Sequence, residues 1–162
     1  MDIRLNGRNA LVTGGSLGIG RATALQLAIS GADVVITARD GARLARVAEE
    51  LSGESGRRVI AVAGDMSSGA DIERVVARAR EALGHVDILV NNAGASPAGR
   101  IFELTDELWK SSFELKLMGY MRCARAVLPH MQARRWGRII NVSGRGGDIA
   151  TPGYLLGAFN AA

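Results

Sequence analysis

Residues 13–20 read Thr-Gly-Gly-Ser-Leu-Gly-Ile-Gly, and this stretch decides the fold. It follows a short apolar run at residues 9–13 and leads into a pattern of helical period at residues 18–30. Glycines permit a tight turn through which a backbone approaches a pyrophosphate closely, and the N-terminus of the following helix supplies free N–H groups and a favourable dipole. Because the turn lies between a strand and a helix, the pattern favours a dinucleotide-binding βαβ unit over a plain glycine turn.

Four further apolar runs, at residues 32–37, 58–62, 86–90 and 138–142, alternate with helical patterns. After the second and third of the five runs, apolar residues recur on one helical face: Leu44, Val47, Ala48 and Leu51, then Ile72, Val75, Val76 and Ala79. A long helical stretch at residues 105–132 follows the fourth run, with Thr105 as its predicted N-cap. The runs are apolar without alternation, which is typical of parallel strands covered on both faces. The sequence therefore predicts an α/β fold, a doubly wound parallel sheet of Rossmann type in three α/β/α layers, as a single domain over residues 1–162.

Composition and charge exclude several classes of protein. The net charge is +4, but the arginines are scattered among acids, and the one dense basic cluster, residues 134–138, is short enough for a solvated turn, which disfavours nucleic acid as a partner. The single cysteine, Cys123, excludes an internal disulfide. No stretch has the length of a membrane span or the character of a signal peptide, so we expect a soluble cytoplasmic protein without a membrane partner.

The second strand ends at Ala38-Arg39-Asp40, at the position where an acid would hold the ribose 2′-hydroxyl of NAD. Because a guanidinium forks well onto a phosphate, Arg39 favours NADP(H) over NAD(H). Arg39 as an ordinary surface residue is the alternative, and Asp40 has an alternative role as the cap of the next helix.

The spacing of Gly14, Gly18 and Gly20 resembles the short-chain dehydrogenase/reductase family, whose loop reads TGxxxGxG. Asn91-Asn92-Ala93-Gly94 is similar to its NNAG motif, Asp65-Met66 to its adenine-contacting pair, and residues 126–131 and 137–143 to its fourth helix and fifth strand. The resemblance covers essentially the whole chain. It implies an NADP(H)-dependent oxidoreductase acting on the hydroxyl/carbonyl pair of a small alcohol or ketone. The implied cofactor-binding residues are Gly14, Ser16, Leu17, Gly18, Ile19, Gly20, Arg39, Asp65, Met66, Asn92, Ala93 and Gly94.

The catalytic positions of that family depart from its pattern in this chain. The family's Ser, Tyr-x-x-x-Lys and helix Asn fall on Gly144, Gly157, Ala161 and Lys116. Since the pKa of a free Tyr is about 10, a Tyr that transfers a proton needs a cation nearby. Three residues offer substitutes: Ser143 as a hydrogen-bond donor, Tyr154 as the acid, and Lys116 as a cation that lowers the pKa of Tyr154 or acts directly.

Two of the three substitutes also have a structural interpretation. Tyr154 follows Pro152-Gly153 and has Ala158 where a lysine one helical turn later would stand, and Lys116 interrupts an apolar run and fits a solvent-facing position. A catalytically silent relative that binds NADP(H) as a sensor, a scaffold or a subunit of a hetero-oligomer therefore stays open beside the enzyme.

The remaining expectations concern metals and assembly. Neither His85 nor His130 has a partner at metal-ligand spacing, so we predict no metal site, and Cys123 fits a packing role. The chain ends at Ala162, where the fifth major helix of the family begins, so we expect the C-terminal part of the family's fold to be missing. The resemblance also implies a homo-oligomer in which the fourth and fifth helices pair subunits.

Overall fold

A computed structural model of the chain describes residues 4–95 and 104–143. Strands and helices alternate along these residues, as the sequence predicts. The strands are β1 Asn9–Thr13, β2 Asp33–Thr37, β3 Val59–Ala61, β4 Ile88–Asn91 and β5 Arg138–Asn141. The helices are α1 Gly18–Ile29, α2 Gly41–Ser55, α3 Gly69–Leu83, α4 Asp106–Phe113 and α5 Gly119–Ala133.

The five strands form one parallel sheet in the order β3-β2-β1-β4-β5. In the register, Leu11 of β1 lies opposite Val35 of β2 on one side and opposite Leu89 of β4 on the other. Strand order reverses between β1 and β4, so the ends of these two strands form the switch point where open α/β sheets bind ligands. The predicted Rossmann-type fold is confirmed.

The two faces of the sheet carry separate hydrophobic cores, because successive residues of a strand point to opposite faces. Ala10 and Val12 of β1 pack on the face covered by α1 and α2, and Leu11 packs on the face covered by α3 and α5. All eight residues of the predicted apolar faces of α2 and α3 are buried. This explains why the strands lack polar alternation.

The region predicted as one long helix contains a change of helical geometry. Thr105 caps α4 as predicted, accepting a hydrogen bond from the backbone N–H of Leu108. A π-helical segment, Glu114–Met118, then joins α4 to α5. Gly119 at the start of α5 lies directly against the carbonyl oxygen of Met66, where a side chain has no room. The π-helical segment therefore brings the chain close to the loop after β3.

The basic cluster at residues 134–138 forms the turn between α5 and β5, as predicted. Trp136 is stacked against Arg8, whose guanidinium carbon lies 3.7 Å from the ring centroid. Arg134 lies 3.8 Å from the buried carboxylate of Asp87, which also accepts a hydrogen bond from the backbone of Asn9. The cluster therefore contributes to packing at the amino ends of the strands.

His85 and Cys123 each contact a neighbouring side chain. His85 lies 3.0 Å from Asp87 through Nε2, and Cys123 is buried with its sulfur 3.9 Å from that of Met66. Among the described residues, no helix is long and apolar enough to cross a bilayer.

Candidate functional site

A cavity of about 570 Å³ opens outside the carboxyl ends of β1, β2 and β4. Its walls come from the glycine turn, the end of β2, the loop after β3 and the loop after β4. The predicted cofactor residues that line it are Gly14, Ser16, Leu17, Gly18, Ile19, Arg39, Asp65, Met66, Asn92, Ala93 and Gly94. Segments far apart in sequence thus meet at one surface, at the switch point of the sheet.

Gly20 is the one predicted cofactor residue that does not line this cavity. It is buried, and a Cβ atom there would meet the carbonyl oxygen of Gly14 and lie 2.5 Å from Nδ2 of Asn92. Gly14 itself has φ of 68° and would place a Cβ atom 2.8 Å from the same nitrogen. Both glycines are therefore required by close packing of the turn against the loop after β4.

The N-terminus of α1 has no side-chain cap, unlike the N-termini of α2, α3 and α4. Side chains of Asp40, Ser68 and Thr105 cap α2, α3 and α4. The first turn of α1 has neither a side-chain cap nor an acidic residue, and it faces the cavity through Leu17, Gly18 and Ile19. Its N–H groups and positive dipole end are therefore left for an anion. The residues present fit the pyrophosphate of a dinucleotide.

Two arginines lie at the end of the cavity formed by β2 and α2. Arg39 is exposed and makes no hydrogen bond or ion pair within the described residues. Asp40 caps α2 by accepting from the N–H of Arg43, which confirms the capping interpretation, and its carboxylate lies 3.6 Å from Nε of the same arginine. Arg43 was missed by sequence reasoning. The sequence feature that could have identified Arg43 is its place in the first turn of α2, four residues after Arg39.

The loop after β3 shapes the opposite wall. Asp65 accepts hydrogen bonds from the backbone N–H and the hydroxyl of Ser67 through one carboxylate oxygen. The backbone N–H of Asp65 donates to Asp71, an interaction that lowers the pKa of the Asp71 carboxyl below its usual value. The loop is held by its own hydrogen bonds, which presents Asp65 at a defined position on the cavity wall.

Apolar side chains are exposed at the mouth of the cavity. Leu17 is 58% exposed and Ile19 is 66% exposed, both at the start of α1. Exposed apolar groups in a concave wall are typical of a site that receives flat, partly apolar ligands such as nucleotide rings.

A second cavity of about 260 Å³ lies between the π-helical segment, α5 and the end of β5. It is lined by Lys116, Leu117, Tyr120, Met121, Ala124, Asn141, Val142 and Ser143. Two of the three predicted catalytic residues, Lys116 and Ser143, therefore line one cavity. Tyr154 lies outside the described residues, as do Gly144, Gly157 and Ala161.

Among the described residues, one tyrosine, Tyr120, lines the second cavity. Its hydroxyl donates to the carbonyl oxygen of Val142 at 3.1 Å. Burial, with a smaller effect of nearby Cys123, raises the pKa of Tyr120 to about 12. This phenol therefore stays protonated at neutral pH and serves to hold the end of β5.

A model of the short chain dehydrogenase family matches residues 8–158 of the sequence, which is most of its length. The chain belongs to the short-chain dehydrogenase family. The glycine turn, the NNAG loop and the five strands of the sheet all lie within the matched residues.

The chain is similar to oxidoreductases of several kinds. It is 36% identical over 151 residues to (2S)-[(R)-hydroxy(phenyl)methyl]succinyl-CoA dehydrogenase subunit BbsD of Thauera aromatica, covering 91% of this chain and 60% of the relative. It is 38% identical over 147 residues to D-beta-hydroxybutyrate dehydrogenase of Cupriavidus necator, covering 91% and 57%.

Solved structures show the same likeness. L-sorbose reductase from Gluconobacter frateurii, complexed with NADPH and L-sorbose, superposes with a TM-score of 0.91 at 36% identity, covering 99% of this chain and 62% of that one. The chain thus spans about 60% of the length of the relatives that it matches.

Proposed function

We propose that this chain is an NADP(H)-dependent oxidoreductase that acts on the hydroxyl/carbonyl pair of a small organic molecule. One observation carries the proposal: the uncapped N-terminus of α1 faces the first cavity, and the guanidinium of Arg39 stands at the far end of the same cavity. The helix N-terminus suits the pyrophosphate of NADP(H), and the guanidinium at the same cavity suits its 2′-phosphate. The NADPH bound by the L-sorbose reductase supports the choice of cofactor.

The cofactor would be held by the walls of the first cavity. The turn at Gly14, Ser16 and Gly18 would receive the pyrophosphate, with Leu17 and Ile19 against its flanks. Arg39 would bind the 2′-phosphate, and Asp65 and Met66 would contact the adenine. Asn92, Ala93 and Gly94 would carry the nicotinamide end through their backbone, while Gly20 packs behind the turn. When bound, the nicotinamide supplies or accepts the hydride.

For the accompanying proton, we propose Ser143, Tyr154 and Lys116. Ser143 would donate a hydrogen bond to the reacting oxygen, Tyr154 would exchange the proton with it, and Lys116 would stabilise the deprotonated phenol. The shared cavity of Ser143 and Lys116 supports their part in this proposal.

A catalytically silent NADP(H)-binding protein, serving as a sensor, a scaffold or a hetero-oligomer subunit, is the second candidate. The observation that favours it is Lys116, which stands where the family resemblance implies an Asn. A panel of alcohols and ketones separates the two, because an enzyme changes the absorbance of the nicotinamide with a member of the panel. A binding protein quenches NADPH fluorescence without turnover.

Calorimetric titration of NADPH and NADH tests the cofactor assignment. We expect NADPH to bind more tightly than NADH, and Arg39→Asp to reverse that order because it removes the partner of the 2′-phosphate. Arg46→Asp is the matched control, since Arg46 is exposed on α2 and does not line the cavity. Equal affinity of the two nucleotides in the unchanged chain would overturn the NADP(H) assignment.

We also infer a single domain that assembles with copies of itself in the cytoplasm. Exposed apolar side chains on α5 and β5, with Leu128 43% and Ile140 46% exposed, support self-association. The single cysteine is compatible with a reducing compartment. Sedimentation equilibrium tests the assembly, and a monomer at micromolar concentration would contradict it.

A further inference from the structure

Lys116 is the one cationic side chain among the described residues that line the second cavity. Within residues 4–95 and 104–143, its ammonium makes no hydrogen bond or ion pair. The acid nearest in sequence, Glu114, is already paired with Arg122. An ammonium at a partly enclosed surface is poorly stabilised without an anion, so its charge is left for a ligand.

The other polar groups of this cavity are largely used within the protein. The hydroxyl of Tyr120 donates to Val142, and the side-chain oxygen of Asn141 accepts from Nδ2 of Asn91 at 2.9 Å. Ser143 keeps its hydroxyl without a hydrogen bond in the described part of the chain. The described wall carries no carboxylate, and its remaining side chains are apolar. It therefore offers the Lys116 ammonium, the Ser143 hydroxyl and the amide nitrogen of Asn141 in otherwise apolar surroundings.

Lys116 also stands at the boundary between the two cavities. Its Cδ atom lies 3.8 Å from the place where a Cβ atom of Gly94 would be, and Gly94 lines the first cavity. A ligand that contacts Lys116 from the second cavity would thus lie beside the end of the first cavity assigned to the nicotinamide.

We propose that Lys116 binds a carboxylate of the substrate, so that the substrate class is a short oxo acid or hydroxy acid. This inference rests on the proposed function, because it places the carbonyl or hydroxyl of that acid beside the nicotinamide. The volume of about 260 Å³ lies below the usual range for drug-sized ligands and fits a small acid. Lys116 would then be a specificity-determining residue in addition to its part in proton transfer.

The test uses two probes of nearly equal shape, 4-oxopentanoate and hexane-2,5-dione, in which a methyl ketone replaces the carboxylate. Each is titrated by calorimetry into the full chain saturated with NADP⁺, which prevents reduction of the ketone. We expect 4-oxopentanoate to bind roughly 10- to 100-fold more tightly, the size of a hydrogen bond to a charged group. Raising the salt concentration should weaken 4-oxopentanoate alone.

Variants then test whether Lys116 causes the preference for 4-oxopentanoate over hexane-2,5-dione. Lys116→Gln should bring the two affinities together, and Lys116→Arg should retain most of the difference. Lys110→Gln removes the same charge from an exposed position on α4 outside the cavity and should change neither affinity. Equal binding of the two probes to the unchanged chain, no binding of either, or a preference that survives Lys116→Gln would overturn the inference. Failure of NADP⁺ itself to bind would instead overturn the proposed function on which it rests.

Discussion

The hydroxyl oxygen of Thr13 accepts a hydrogen bond from the backbone N–H of Asn92 at 2.9 Å, across 79 residues of sequence. It also accepts from the N–H of Ala93 at 3.0 Å, and Nδ2 of Asn92 returns a hydrogen bond to the carbonyl oxygen of Thr13. These contacts join the glycine turn after β1 to the loop after β4. The geometry of the first cavity depends on this connection.

We expect Thr13→Val to lower the free energy of unfolding by about 2–4 kcal/mol, since it leaves two backbone N–H groups without their acceptor. Affinity for NADPH should fall with it, because the two walls of the cavity lose their connection. Urea denaturation and fluorescence titration measure the two effects. Thr23→Val on α1 is the control and should change stability by less than about 0.5 kcal/mol. A Thr13→Val protein as stable as the unchanged chain would contradict this role.

Gly20→Ala should reduce NADPH affinity at least about tenfold and destabilise the fold by about 1–3 kcal/mol. The added methyl would meet the carbonyl oxygen of Gly14, a backbone group that cannot move without opening the turn. Gly53→Ala on α2 is the matched control. A Cβ atom at Gly53 has open space around it, so this change should stabilise the helix by about 0.5–1 kcal/mol. Unchanged cofactor binding by the Gly20→Ala protein would show that the turn is not closely packed.

Asp87→Asn should lower the free energy of unfolding by about 1–3 kcal/mol, because the charged acceptor of the Asn9 N–H is lost. The Asp87 side chain is fully buried, with Arg8 at 3.6 Å and His85 at 3.0 Å. Glu81→Gln tests the contrast, since Glu81 pairs with Arg78 at an exposed position. That change should cost less than about 0.5 kcal/mol in thermal or urea unfolding. An equal loss of unfolding free energy in Asp87→Asn and Glu81→Gln would mean that burial does not strengthen the Asp87 contacts.

Stability should fall as the pH rises above 9. Burial raises the pKa of the Cys123 thiol from 9.0 to about 12, so between these values the unfolded chain has lost a proton that the folded chain still holds. The folded state is therefore favoured fully below pH 9 and loses this advantage as the pH rises toward 12, by up to about 1.4 kcal/mol per pH unit.

Urea denaturation at pH 8, 9 and 10 measures this slope. Cys123→Ala should make it shallower, since Cys123 is the single cysteine of the chain and its titration would be removed. Tyr120, whose pKa is raised to about 12, adds a similar dependence only above pH 10 and remains in the variant. A slope between pH 9 and 10 that is identical with and without the thiol would refute the assignment to Cys123.

Local sequence patterns predicted the elements well because each depends on neighbouring residues. Burial of Leu44 and Ile72 follows from helical periodicity, and the caps at Asp40 and Thr105 follow from short side chains before a helix. The π-helical segment was not predicted, because apolar residues are so dense at residues 113–121 that they hide the phase shift that one extra residue causes.

For the candidate site, sequence motifs named most of the wall of the first cavity, and the structure adds side-chain contacts that the motifs did not predict. Asn92 was predicted as a cofactor-binding residue, and the structure adds that its Nδ2 donates to Thr13 and Gly14. Arg43 lines the cavity without belonging to any motif used in the prediction. Both outcomes depend on contacts between segments that lie far apart in sequence.

The sequence by itself determined the strand, glycine turn and helix at residues 9–30 and the order of alternating elements, because backbone propensity and apolar periodicity act over a few residues. Only the tertiary structure decided that Thr13 meets Asn92 and that Lys116 lies beside Gly94. Sheet order and helix packing bring these pairs together, and such long-range proximity arises only when the whole sheet forms, since no local preference encodes it.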